Sequence, residues 1–88
     1  MQPQKFTYTE LMQTKVINPA FEPTVEQYAK AYLFAEDYWK GKRNYIVTSK
    51  PYLWALALQR IESRDLSNEE IQKVHNTAKK LRQRKQQR

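Results

Sequence analysis

Three stretches of the chain repeat their apolar residues at three- and four-residue intervals, the spacing of one face of a helix. The first holds Val25, Tyr28, Ala29, Tyr32, Ala35 and Trp39. Thr24, after Pro23, is placed to cap it, with Gln27 at the reciprocal position of a capping box. Gly41 suits the left-handed residue just past its end. A second strip, Ala31, Phe34 and Tyr38, lies nearly opposite the first. A helix apolar on two sides is sandwiched between elements or faces a partner. Glu36 falls among the first set and is expected to be an edge carboxylate paired with a Lys or Arg.

The second stretch starts near Pro51, a residue suited to the first helical position because its missing N–H would be orphaned there anyway. It runs to about Arg64, and Leu53, Trp54, Leu56, Ala57, Leu58 and Ile61 cover most of its circumference. Such wide coverage predicts the central core helix. The third opens on Ser67 and Glu70, a Ser-x-x-Glu capping box, with Leu66 and Ile71 spaced as a hydrophobic staple. Its stripe is narrow (Ile71, Val74, Ala78 and Leu81), and nothing apolar follows Leu81. The Arg/Gln/Lys continuation is expected to project beyond the core or fray.

Residues 1–22 are rich in Gln, Thr and Pro. Phe6 and Tyr8 alternate with Lys5, Thr7 and Thr9 as a short strand would, and Thr9 to Thr14 reads equally as a helical turn or two. Asn18-Pro19 ends whatever precedes it. Tyr45-Ile-Val-Thr has the β-branched and aromatic make-up of a strand and is able to pair with the first in a minimal ribbon. The expected fold is therefore mainly α. It is a small three-helix single domain with an irregular N-terminal arm (1–22), a helical core (23–81) and a basic C-terminal extension (82–88).

Composition removes several classes of function. With 88 residues there is room for one small core. The absence of cysteine excludes disulfides and thiolate metal sites. A single glycine rules out the glycine-rich phosphate cradles, and one histidine leaves few nucleophile–base pairs. The carboxylate neighbours Glu36/Asp37 and Glu69/Glu70 point about 100° apart on a helix and do not converge on a substrate. His75 lies beside an apolar stripe and is expected at the edge of the core. No enzyme, cofactor or metal is expected. The opening Met-Gln-Pro-Gln-Lys lacks the apolar run of a signal peptide, and Tyr52 to Leu58 is too short to span a bilayer, so a cytoplasmic, membrane-free protein is the expectation.

Charge changes the picture most. The sixteen residues from Lys73 to Arg88 carry seven cations and no acid, whereas residues 1–72 carry nine Lys/Arg against nine Asp/Glu. A neutral body with a cationic handle directs polyanions to one end. Lys79, Lys80, Arg82, Arg84, Lys85 and Arg88 are the expected phosphate contacts, with Lys42 and Arg43, beside Lys40 and Lys50, as a second patch if the fold brings it alongside. Dipole matching alone needs only two or three cations in a last helical turn. A helix-turn-helix reading fails on Asn68, Glu69 and Glu70, whose carboxylates would face phosphate with like charge. Tyr38 and Tyr45, near the basic turn, are candidates for stacking on unpaired bases. Phe34, Tyr38 and Tyr45 equally suit a protein interface.

The phrases Phe6-Thr-Tyr-Thr-Glu-Leu11, Lys50-Pro51 followed by Ala55, and Leu66-Ser to Glu70-Ile71 resemble, in order, landmarks of RNA polymerase omega subunits. That resemblance implies a small helical subunit clamping a large catalytic chain rather than a DNA reader. The family's basic Arg-Ala stretch would fall near Ala31 to Asp37, where this chain has Ala-Tyr-Leu-Phe-Ala-Glu-Asp. Two expectations follow. One is an accessory or regulatory protein that contacts nucleic acid, DNA in preference to RNA, through its C-terminal cluster. The other is a protein-binding small subunit or adaptor of a larger nucleoprotein machine.

Overall fold

The structure, a computed structural model, describes residues 4–16, 18, 20–41 and 45–86, with Gln4, Lys85 and Gln86 by backbone alone. Residues Gln4–Thr7 form β1 and Tyr45–Thr48 form β2. They pair antiparallel, with Lys5 opposite Val47, Phe6 opposite Ile46 and Thr7 opposite Tyr45. The pleat sends Ile46 and Thr48 inward and leaves Tyr45 and Val47 exposed.

Helix α1, Tyr8–Gln13, follows β1 without a linker. Thr7 makes the switch. Its backbone is still extended, at φ −78° and ψ 162°, while its hydroxyl oxygen accepts the Glu10 N–H at 3.1 Å. The strand and helix readings of this segment therefore each hold for half of it. The segment read as an irregular arm also enters the core, because Leu11 is completely buried.

Helix α2, Val25–Trp39, begins with both halves of the capping box. The Thr24 N–H donates to Gln27 Oε1 at 2.8 Å, and the Gln27 N–H donates to Thr24 Oγ1 at 3.2 Å. Its C-terminus closes at Gly41, which takes φ 72° and donates its N–H to the Tyr38 carbonyl at 2.9 Å. Helix α3, Pro51–Ser63, has Pro51 in its first turn and stops at Arg64, a left-handed residue at φ 57°. Helix α4, Asn68–Gln86, opens on the reciprocal Ser67–Glu70 box, with both bonds at 3.2 Å. It does not stop at Leu81. The helix carries through the basic residues to Gln86.

Side-chain pairs fix the directions. Arg60, near the end of α3, donates to Glu22 at 2.6 Å and to the Tyr28 hydroxyl at 3.1 Å, so the end of α3 lies beside the start of α2. Tyr32 meets His75 with ring centroids 4.8 Å apart, and Glu36 meets Arg82 about one turn further along α2 and about two turns further along α4, so the two helices run in the same direction. The C-terminal ends of α2 and α4 thus share one end of the molecule.

The central helix is α2, not α3. It packs against both α3 and α4, whereas α3 packs against α1 and α2. Wide apolar coverage of α3 reflects burial on the two sides taken by α1 and α2. The second strip of α2 is likewise accounted for from within the chain. Ala31 and Phe34 are buried, at 0% and 1% exposure, and Tyr38 stacks on Tyr8 with ring centroids 4.7 Å apart. Phe34, expected on a partner-facing strip, belongs to the core and is closed to any partner in this fold. Small residues on α2 (Ala29, Ala31 and Ala35) allow this close approach on several sides. Among the described residues no helix is long and apolar enough to cross a membrane.

Truncating Leu11→Ala is expected to cost about 2–4 kcal/mol in urea unfolding, because a completely buried leucine leaves a cavity. Thr24→Ala is expected to cost about 1 kcal/mol through loss of the cap. The Tyr8 hydroxyl is buried without a hydrogen-bond partner among the described residues, so Tyr8→Phe is expected to hold or raise stability while Tyr8→Ala lowers it.

Candidate nucleic-acid interface

Helix α4 sorts its side chains by where the narrow apolar stripe faces. Val74 and Ala78 are buried at 3% and 2% exposure against α2, with Ile71 and Leu81 half-buried on either flank. At 3.6 residues per turn, Lys73, Lys80 and Arg84 fall within about 40° of one another on the half of the helix turned away from that stripe. All three are exposed. They extend over about 16 Å of helix at 1.5 Å per residue. Lys79 is also exposed but lies on the other flank. None of these four is ion-paired to a carboxylate among the described residues.

Arg82 behaves differently. It sits about 60° from the centre of the Val74/Ala78 contact, close enough to reach across to α2. There it donates to Glu36 Oε1 at 2.7 Å and lies 3.5 Å from Asp37 Oδ1. It is half-buried and serves the fold's own carboxylates. Of the cations expected to meet phosphate whose side chains are described, Arg82 is the one committed elsewhere. The side chains of Lys85 and Arg88, and both Lys42 and Arg43, lie outside the described residues.

The Glu36 carboxylate is the hub of this corner. Lys40 Nζ approaches the same Oε1 at 3.4 Å, and the Tyr32 hydroxyl donates to the carboxylate one turn back along α2. Desolvation opposes its ionised form. The hydrogen bonds from Tyr32 and Lys40 and the charges of Lys40 and Arg82 outweigh it and hold the group below the usual carboxylate range. The same contact works in reverse on Tyr32, whose phenol is raised by burial and by donation to an anion. Glu36 is thus the paired edge carboxylate that its position among apolar residues implied. Its ties to Lys40 and to Arg82 also draw the start of the basic turn toward the basic end of α4.

The remaining candidates are placed as follows. Tyr38 is half-buried under Tyr8, with limited surface to offer. Tyr45 is exposed at 46%, with Lys5 Nζ 5.4 Å from its ring centroid. Lys50 is exposed after β2. His75 is exposed against the Tyr32 ring, and no group of three potential metal ligands comes together among the described residues. A cleft of about 400 Å³ lies between the α3–α4 turn and α2, lined by Ile61, Leu66, Ile71 and His75 among others. It opens at the acidic start of α4, away from Arg84.

Sequence reasoning missed one exposed residue of note. Trp39 was assigned to the first apolar strip of α2, yet it is 60% exposed, because it is the last residue of the helix and lies past the core. Four residues separate it from the last buried position of that strip, Ala35, and that spacing at a helix end was the available signal. No protein-family model, curated protein or solved structure matches the chain. The resemblance to omega subunits therefore rests on the quoted landmarks alone.

A group whose folded-state pKa is lowered stabilises the fold above its unfolded pKa, and that stabilisation is lost as pH falls through the folded value. For Glu36 the loss begins below about pH 4.3, the ordinary glutamate value. Glu36→Gln is expected to cost at most about 1 kcal/mol at neutral pH and to flatten the acid side of the stability–pH curve, as measured by urea unfolding at a series of pH values. An unchanged acid limb would contradict the assignment.

Proposed function

We propose that this chain is a small nucleic-acid-binding accessory or regulatory protein that contacts phosphates through the exposed basic side of α4. The observation that carries the reading is the free strip Lys73–Lys80–Arg84, with Lys79 beside it, in a helix whose acids are confined to its first turn. Lys85 and Arg88 continue the charge in sequence. A side chain that already neutralises an internal carboxylate contributes little to counterion release, so Arg82 drops out of the phosphate-facing set. Contacts of this kind supply affinity without sequence preference. A DNA duplex, with about one phosphate charge per 1.7 Å of its axis, is the ligand proposed for such a strip.

A second reading is supported by the exposed Trp39 and Val47, at 60% and 50% exposure. In it the protein is a small subunit docked on a larger nucleoprotein machine, as the omega resemblance implies. Partner binding that is undiminished in high salt would favour it.

In a salt titration of duplex binding, five to seven phosphate contacts give a log–log slope of roughly −4 to −6. Replacing Lys79, Lys80 and Arg84 together by glutamine is expected to reduce that slope by about 3 without altering the circular dichroism spectrum. A slope unchanged by the triple substitution would place the contact surface elsewhere.

A further inference from the structure

We infer that the cleft between the α3–α4 turn and α2 receives Trp39 of a second copy of this chain, in a head-to-tail contact. The inference goes beyond the phosphate reading and needs no nucleic acid. The cleft, of about 400 Å³, has apolar walls in Ile61, Leu66 and Ile71, all half-buried. Arg64 also lines it, exposed and without an ion pair among the described residues. An apolar hollow with a guanidinium on one wall suits an aromatic ring, and indole is the ring that a cation attracts best. Trp39 is the most exposed of the large apolar residues described. It lies about 10 Å of helix beyond Tyr32, the wall that α2 gives the cleft. Its ring meets Tyr8 of α1 instead, so the cleft of its own molecule stays open to another copy.

Charge divides along the same axis. The end of α3 lies beside the start of α2, and the short α3–α4 turn puts the start of α4 there as well. Six of the nine acids gather at this end: Glu22, Glu26, Glu62, Asp65, Glu69 and Glu70. Glu22 is paired with Arg60 and Glu26 with Lys30. The other four each adjoin in sequence a residue that lines the cleft, and none has an ion pair among the described residues. Arg64 and Lys73 are the unpaired cations on that stretch, so the rim is negative on balance. The opposite end carries Lys40, directly after Trp39, and Lys79, Lys80 and Arg84 on the last turns of α4. Its acids Glu36 and Asp37 are engaged by Arg82. Glu10, on the helix whose Tyr8 packs against Trp39, is the remaining acid there and is outnumbered. A copy approaching head to tail therefore brings cations to a negative rim and an indole to an apolar hollow. The net charge of +7 repels copies at a distance, but the molecule is 35 Å long and screening at physiological salt acts over about 8 Å, so the two facing ends decide. An indole buries only about 150–250 Å², well short of a stable interface of about 1,200 Å², so the association is weak and depends on concentration. Because the two copies use different patches, the contact propagates rather than closing as a symmetric dimer.

Sedimentation equilibrium of the full chain, free of nucleic acid and at physiological salt, tests this. The weight-average mass is expected to rise above that of the monomer as protein concentration rises. Tryptophan emission is expected to shift to the blue in step as Trp39 leaves water, over a constant background from Trp54, which is packed against the core. Trp39→Ala is expected to weaken the association at least about tenfold. Glu62→Lys combined with Glu69→Lys, both at exposed positions, is expected to weaken it from the cleft side by like-charge contact. Arg64→Gly suits the left-handed backbone at φ 57° and removes the guanidinium. It is expected to weaken association about two- to fivefold without lowering the thermal midpoint. Mixing Trp39→Ala with the double lysine variant is expected to give a 1:1 dimer that grows no further, because each supplies the face that the other lacks. Circular dichroism checks that each variant keeps its helices. A chain that stays monomeric up to millimolar concentration would overturn the contact and leave Trp39 to a different protein, with the phosphate-binding strip untouched. Association that survives Trp39→Ala would overturn it, as would a mixture that stays monomeric, the mark of a symmetric contact through Trp39.

Discussion

Helix α2 has to be covered on opposite sides by a chain too short to build a second layer. Everything else in the fold follows from how that is done. The alanines at 29, 31 and 35 are all but completely buried, which lets neighbouring elements approach the helix closely. α3 lies against it in one direction and α4 in the other, while Tyr8 of α1 covers the Phe34/Tyr38 strip. The N-terminal segment is thereby made structural. With Leu11 buried among the helices, β1 is held where β2 can pair with it. A two-stranded ribbon is marginal alone in water, and this one persists because Phe6 and Ile46 pack on the helices.

The same arrangement creates an asymmetry of charge. Because α2 and α4 run in the same direction, their C-terminal ends meet at one end of the molecule, where both helix dipoles present partial negative charge. Cations there are favoured even without a ligand. Arg82, reaching Glu36 and Asp37, and Lys40, reaching Glu36, meet that local demand. The cations of α4 that point away from α2 have no such role. They are in excess of what the fold requires, and the proposed phosphate contact rests on that excess.

Much of the fold was legible because helix boundaries are written in short, local chemistry. Thr24 with Gln27, Ser67 with Glu70, Pro51 and Gly41 each mark an end that the structure reproduces. Long-range choices were not legible. Leu11 is one apolar residue in a polar stretch, and periodicity needs several residues before it points to a face. The wide apolar belt of α3 states how much of it is buried but not by what, so it was mistaken for the centre. Phe34 looked available because a second apolar strip reads alike whether a partner or the chain's own α1 covers it. For the candidate site, a tally of tail charge does not say which cation finds a carboxylate. Glu36 and Arg82 lie 46 residues apart, and only the parallel packing of α2 on α4 brings them together.

Arg82 therefore divides the basic segment by geometry rather than by composition. A guanidinium already hydrogen-bonded to one carboxylate and close to a second would have to give up both to reach phosphate. It would also leave Glu36 with Lys40 as its remaining cation, a weaker contact at 3.4 Å. Lys79 and Lys80, exposed and without an ion pair among the described residues, incur no such loss. On the proposed reading, the cations best placed to meet phosphate are the ones that contribute least to the fold. Arg82 has the opposite profile: its removal is felt by α2 and α4 before it is felt by any ligand. Under the proposed phosphate contact, stability and polyanion affinity would vary independently along a single helix.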